Sequence, residues 1–229
     1  MSQIDLGSEL LNFIVQNGYS TGDRLPTIQE LKADDKLGIS TSKIREQLEV
    51  ARAVGLVDVR SKKGTHIKPY SFAPAVRLSL MIALAIDPST FHQFSELRSH
   101  IEAAFWHEAC ELIDEADKVT MRRCITEARA KLTSDWIRIP HAEHRIFHLT
   151  MFKKLDNPFV TGLLEAYWDA YDAVQPSSYA PYAYLQLVWD YHERILDAIC
   201  AGDYDGALEA FIEHTQLPSR REDGSASTP

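Results

Sequence analysis

The sequence predicts a mainly α-helical chain in two parts: a small three-helix unit closed by a β-hairpin, then an all-helical antiparallel bundle. Three observations carry this. Apolar residues recur at helical spacing over most of the 229 residues. The period switches to alternation once, in "LVDVR" and "THIKP" on either side of a glycine-bearing turn. Charge is also divided unevenly: residues 1–70 hold 10 basic and 9 acidic side chains, against 14 and 24 in the remainder. With a net charge of −9, the chain is not one that coats nucleic acid. If any part meets an acidic polymer, it is the first third.

The elements follow in order. "IDLGSELLNFIVQNG" sets Leu6, Leu10, Leu11, Ile14 and Val15 on one helical face, and Gly18 closes it. After the turn "TGDRLPT", Thr27 stands three residues before Glu30, the capping-box spacing, and opens "IQELKADDK". Gly38 breaks that helix, and Ser40 or Thr41 caps "TSKIREQLEVARAVG". This third helix turns Lys43, Arg45 and Arg52 to solvent and Ile44, Leu48 and Val54 inward. The hairpin follows, with the basic tip "SKKG". These elements make a first unit of residues 1–70. Pro69 and Pro74 frame an expected linker at 71–76. Amphipathic helices are expected near 75–86, 88–113, 114–133, 139–155, 157–174, 181–201 and 203–215, within a second unit spanning 77–217. The polar stretch 218–229 is expected to be a disordered tail.

Several classes are excluded or disfavoured. No apolar run reaches the roughly 20 residues that span a bilayer, and "MSQIDLGSELL" lacks a basic signal-peptide start. A cytoplasmic protein without membrane contact is expected. Cys110, Cys124 and Cys200 are odd in number and scattered, so they read as reduced, mostly buried thiols. "HEAC" and "HAEH" lack the H-E-x-x-H order of zinc peptidases, and no nucleophile elbow or phosphate loop occurs.

Helix, short turn, helix and basic hairpin together form a winged helix-turn-helix pattern. Small hydroxyl residues at a helix start let backbone N–H groups approach phosphates, and Ser40, Thr41 and Ser42 stand there. Thr27 occupies the same place on the preceding helix. Lys43 and Arg45 are placed to reach base edges or phosphates. Lys62, Lys63 and Gly64 form a wing tip whose missing side chain admits a groove. The alternative is a generic helical turn carrying ordinary solvated charge.

"GDRLPTIQEL", "LGISTSKIREQLEVARAVGLVDVRSKKGTHI" and their spacing resemble the DNA-binding domain of the GntR family of bacterial transcription regulators. Gly22, Leu25, Pro26, Glu30, Leu37, Gly38, Ser40, Arg45, Glu46, Gly55 and Gly64 fall in that pattern's register. The resemblance implies a homodimer on a pseudo-palindromic operator, more often a repressor than an activator. Two arginines of the pattern are absent: their places hold Gln29 and Thr41. An operator sequence therefore does not carry over.

Two histidines in "HRIFH", His144 and His148, stand one helical turn apart and share a face. They read either as metal ligands or as a pair of satisfied core histidines. "ELRSHIEAAFWHEA", "HRIFHLTMFKKLDNPFV" and "YHERILDAICAGDYDGALEAFIEH" resemble the FCD effector domain of the FadR-like branch. That resemblance implies a divalent metal held by His148, His192 and His214, with His144 where the branch usually has aspartate. Losing a hard anionic donor disfavours Mg²⁺ and Mn²⁺ and favours Zn²⁺, then Ni²⁺. Arg98 matches the branch's first-helix arginine and would grip an effector carboxylate, with Glu102 one turn on to orient it. His141 is expected to face solvent, and Tyr167, Trp168 and Tyr171 to pack in the core or against a partner, with a wall of the effector pocket as the alternative for one of them. The expected function is a DNA-binding regulator controlled by a small organic acid. Two rivals are a four-histidine metal enzyme with an appended winged helix, and a DNA-binding dimer whose sensor holds no metal.

Overall fold

The structure, a computed structural model, describes residues 4–33, 37–60, 64–134, 136–174 and 181–217. It divides into two compact units, residues 1–79 and 80–229. The described residues form eleven helices and one two-stranded sheet.

In the first unit, α1 (Glu9–Gln16), α2 (Ile28–Ala33) and α3 (Thr41–Ala53) precede β1 (Val57–Arg60) and β2 (Gly64–Ile67). Local chemistry sets each start. Ser8 caps α1 by accepting from the Leu11 N–H. The capping box at α2 is complete: the Thr27 N–H donates to Glu30 Oε2 at 2.6 Å, and the Glu30 N–H to Thr27 Oγ1 at 3.2 Å. Ser40 Oγ accepts from the Lys43 N–H at 3.2 Å and caps α3. The antiparallel hairpin pairs Val57 with Ile67 and Arg60 with Gly64.

Leu10, Ile14, Leu25, Leu31, Ile44, Ala51, Val57 and Ile67 make the core of this unit. The inward face of α3 differs from expectation: Val54 is exposed, Leu48 only half-buried, and Gln47 buried. Gln47 is admitted because its amide is satisfied. Its Oε1 accepts from the Leu10 N–H at 2.8 Å and its Nε2 donates to Glu9. Leu6 and Val15 are also exposed, because α1 is short and only Leu10 and Ile14 reach the core.

The expected linker at 71–76 is largely helix. α4 (Ala73–Ile86) begins there, with Pro74 in its first turn. The first-turn N–H groups have no intrahelical acceptor, so proline removes nothing at that place. Gly55 (φ +78°) faces Pro74 so closely that a Cβ would lie 2.5 Å from Pro74 Cγ. The expected tail at 218–229 lies outside the described residues.

The second unit continues with α5 (Thr90–Ala104), α6 (Trp106–Leu112), α7 (Glu115–Leu132), α8 (His141–Phe152), α9 (Pro158–Val174), α10 (Tyr182–Ala201) and α11 (Tyr204–Thr215). The single helix expected over 88–113 is broken at Phe105 (φ −100°, ψ 12°). α7 packs on α8 and α10, α10 on α11, α5 on α9, and α8 on α9. Gly202 ends α10 in the left-handed conformation (φ +76°), letting Asp203 cap α11. No helix of the described residues is long and apolar enough to cross a membrane.

The bundle core is built from large side chains, among them Trp106, Met121, Phe147, Phe152, Trp189 and Phe211. Cys110 and Cys124 lie in it, and burial pushes their thiols up to about 12 and about 11. Cys200 is exposed.

Asp117 closes the α7–α8 end of the bundle. Its carboxylate is buried, with Lys153 Nζ at 2.5 Å and Lys154 Nζ at 2.6 Å. Burial works against the charge, but hydrogen bonds from both lysines and the Asp114 backbone outweigh it and hold the pKa at about 2. The folded value lies below the unfolded one of about 3.9. The associated stability is therefore complete above pH 4 and lost as pH falls through 2. It amounts to about 1–2 kcal/mol, since the lysine heads are part-exposed and solvent-screened. Asp117→Asn is expected to lower stability by that amount at pH 7 and to flatten the loss between pH 4 and pH 2. Urea unfolding at the three pH values measures it.

Candidate metal centre and nucleic-acid interface

Four helices deliver the polar residues at the centre of the second unit. α8 carries His144 and His148, α10 carries His192, α11 carries His214, and α5 carries Arg98 and Glu102. His148 and His192 are 1% and 0% exposed, and Glu102 is 0% exposed. One ring nitrogen from each of the four histidines lies within 4.8 Å of every other.

One hydrogen bond fixes a ring tautomer. His192 Nδ1 lies 2.6 Å from the Val188 carbonyl oxygen. A carbonyl only accepts, so Nδ1 carries the proton and Nε2 presents a lone pair. That Nε2 lies 3.1 Å from His148 Nε2. His148 Nδ1 faces Glu102 Oε1 at 3.6 Å, beyond hydrogen-bond length, and neither atom has a hydrogen-bond partner among the described residues. The two Nε2 atoms thus meet in a dry site, where either a proton donated by His148 Nε2 to His192 Nε2 or a cation bound between two bare lone pairs satisfies them. The Val188 bond is of the kind that usually holds a metal-binding histidine, the far N–H engaged by a carbonyl.

Protonation is a poor way to supply that cation. Burial, then the neighbouring histidines and Arg98, pushes His144 and His214 well below the ordinary range. Burial also lowers His192, against the Val188 bond, and His148, against Glu102. Among the described residues, His144 Nε2 and His214 Nδ1 are buried without a hydrogen-bond partner. Four nitrogens on a tetrahedral zinc ion, each ~2.1 Å from it, lie about 3.4 Å apart. A widest pair at that 4.8 Å limit would close by about 1.4 Å as the side chains draw in around an ion. The donor set therefore fits a borderline divalent ion.

Arg98 forms an ion pair with Glu102 at 2.8 Å, and its guanidinium lies 4.6 Å from the Tyr167 ring centroid. Burial opposes the Arg98 charge, and Glu102 with Tyr167 and Tyr171 sustains it. Arg98 Nε is buried without a hydrogen-bond partner among the described residues. A cavity of about 70 Å³ opens beside this group, lined by Arg98, His144 and His214 on its polar side. Its walls also include residues not assigned to it from the sequence: Ile139, Pro140, Tyr184, Leu185, Val188, Trp189 and Thr215. Tyr167 and Tyr171 line it too, rather than serving only as core. His141, expected to face solvent, is half-buried on the cavity wall. Its place three residues before His144, on the same helical face, is the signal that could have found it.

In the first unit, the start of α3 presents Thr41, Ser42, Lys43 and Arg45, all exposed or half-buried. Ser40 and Thr27 hydroxyls are used as helix caps. Lys43 is ion-paired with Glu46 at 3.2 Å. Gly64 sits at the foot of the wing with φ +89°. Lys62 and Lys63 lie outside the described residues.

A helix-turn-helix closed by a hairpin wing, joined to a helical bundle with a buried polar pocket, defines a DNA-binding transcription regulator. The comparisons with known proteins agree. The profile described as "Bacterial regulatory proteins, gntR family" matches residues 5–67, and the FCD domain profile matches residues 93–217. The chain belongs to the GntR-type regulators that carry an FCD domain. It is similar to the uncharacterized HTH-type transcriptional regulator YcbG of Bacillus subtilis, 26% identical over 91% of this chain and 84% of that one. The B. subtilis HTH-type transcriptional regulator LutR is 24% identical over 88% and 92% of the two chains. The fold matches a solved Streptococcus agalactiae GntR with a TM-score of 0.65 at 20% identity, covering 93% and 96% of the two chains. The relatives are regulators, which sets aside the metal-enzyme alternative.

Proposed function

We propose that this regulator is a homodimeric repressor controlled by a small organic acid, bound in the cavity beside a divalent metal. The metal would be held by His144, His148, His192 and His214, with Zn²⁺ the best match and Ni²⁺ the second. The observation that carries this reading is the 3.1 Å approach of His148 Nε2 to His192 Nε2, with the Nδ1 of His192 committed to Val188. All four donors are neutral imidazoles, which suits borderline ions and gives Mg²⁺ or Mn²⁺ no oxygen. A bound cation would supply one carboxylate-accepting point at the cavity edge.

The chain's own residues supply the rest. Arg98 lines the cavity, and its buried Nε–H is available to a carboxylate. Glu102 holds that guanidinium in place from one turn away. The cavity volume of about 70 Å³ suits an acid of a few carbons. For comparison, an engineered apolar cavity that takes benzene measures about 150 Å³. Regulation would be a shift in population, in which the acid binds one conformation of the dimer more tightly than the other.

The test uses metal-loaded, full-length protein and a duplex selected by that protein from a random library. A panel of short carboxylates is then titrated in. One of them should lower DNA affinity by about 5- to 150-fold, the usual range of allosteric coupling. The reading fails if an acid that binds the second unit leaves DNA affinity unchanged.

A further inference from the structure

The cations of the first unit are not equally available to DNA. Lys43 is paired with Glu46, Arg52 with Glu49 at 2.6 Å, and Arg60 with Asp58 at 2.6 Å. The Lys32 ammonium leans on the Ile39 carbonyl. Gln29 and Thr41 carry no charge. Arg45 and Arg24 are exposed and make no ion pair among the described residues. Arg45 was expected from its place on α3. Arg24 was not.

Arg24 sits where the chain runs alongside the wing. The Leu25 N–H donates to the Thr65 carbonyl at 2.8 Å, the Ile67 N–H to the Asp23 carbonyl at 2.9 Å, and Arg24 bridges His66. Residues 22–25 thus extend the hairpin by a third, short strand-like segment. The Arg24 side chain then crosses the foot of the wing. A Cβ at residue 64 would lie 2.8 Å from Arg24 Nε and 3.5 Å from its Cζ. The glycine therefore serves two needs, a backbone with φ +89° and room for a guanidinium. The Arg24 guanidinium is exposed, and a planar fork of N–H donors suits a phosphate.

We infer that Arg24 is a phosphate-contacting residue of the DNA interface, seated by Gly64 at the base of the wing. It supplies a free positive charge where Arg60, the nearest strand cation, is neutralised by Asp58.

The experiment measures binding of the full-length protein to a labelled random-sequence duplex over a series of salt concentrations. Each phosphate contact contributes about 0.9 to the slope of log K against log salt. Arg24→Gln keeps a polar stem over Gly64 and removes the charge. It is expected to reduce the slope by about 1.8, about 0.9 for each protomer of the proposed dimer, as Arg45→Gln is, while Arg24→Lys is expected to retain it. Arg60→Gln is the paired-cation control and is expected to change the slope less. An unchanged slope in Arg24→Gln overturns the assignment even if affinity falls, because that pattern marks a distorted wing rather than a lost phosphate. If Arg24→Gln fails to fold, Arg24→Lys decides: a slope reduced despite its retained charge overturns the assignment.

Discussion

Replacing His148 by alanine is expected to strip metal from the protein, from about one ion per chain to less than a tenth of that. His148 is 1% exposed and is one of four neutral donors, and among the described residues no carboxylate joins that four-histidine cluster. Glu102 is engaged by Arg98 at 2.8 Å. Elemental mass spectrometry on untagged protein reads the loss directly. Stability gives a second readout. A ligand present at 100 times its Kd adds about 2.7 kcal/mol. In a unit of this size each kcal/mol moves Tm by about 2–4 °C. Chelation should therefore lower the wild-type Tm by about 5–10 °C and leave His148→Ala unmoved. His141→Ala is the control on the same helix and should keep its metal. A wild type that never holds metal would make the four imidazoles core residues, and Arg98 would anchor the acid alone.

The second large effect is expected at Trp106, where α6 meets α11. Its ring is 0% exposed, stacks on Phe211 with centroids 4.7 Å apart, and meets Phe152 edge-on at 6.2 Å. Its Nε1–H donates to the Tyr204 carbonyl at 3.1 Å. Trp106→Ala should cost about 3–5 kcal/mol, combining lost burial with a cavity the bundle cannot close. Trp106→Phe should cost less, leaving mainly the Tyr204 carbonyl unpaired. All four tryptophans, Trp106, Trp136, Trp168 and Trp189, lie in the second unit. Intrinsic fluorescence during thermal unfolding therefore follows this bundle without interference from the winged unit. Phe211 is one turn before His214, so the same substitution should also weaken metal binding.

Much of this architecture was legible because its signals are local. The Thr27–Glu30 capping box, the Ser40 cap and the alternating hairpin each need only a few adjacent residues, and each is present. The histidine cluster was partly legible. One-turn spacing pairs His144 with His148, but nothing in the spacing brings α10 and α11 to them. That step came from resemblance. What stayed hidden is tertiary. Pro74 reads as a breaker, yet it sits in a first turn where its missing N–H costs nothing. The break at Phe105 has no glycine or proline to announce it and follows from packing of α5 and α6 on different neighbours. Gln47 looks like a surface residue until the α1 backbone it satisfies is folded against it. For Tyr167 and Tyr171 the sequence left core and pocket wall both open, because a ring beside a small cavity and a ring in solid packing have the same helical spacing.

The neutrality of the four imidazoles has an electrical consequence. Arg98 and Glu102 cancel, so on the proposed reading a divalent ion among these histidines has no matching negative charge nearby. An aspartate in place of His144 would have supplied part of it. The acid then acts as the missing counterion: it strengthens the hold on the metal by the same factor that the metal strengthens the hold on the acid. Such a protein behaves as a coincidence detector. On that reading it would respond to the organic acid most strongly when the metal is present, and retain the metal best when the acid is abundant.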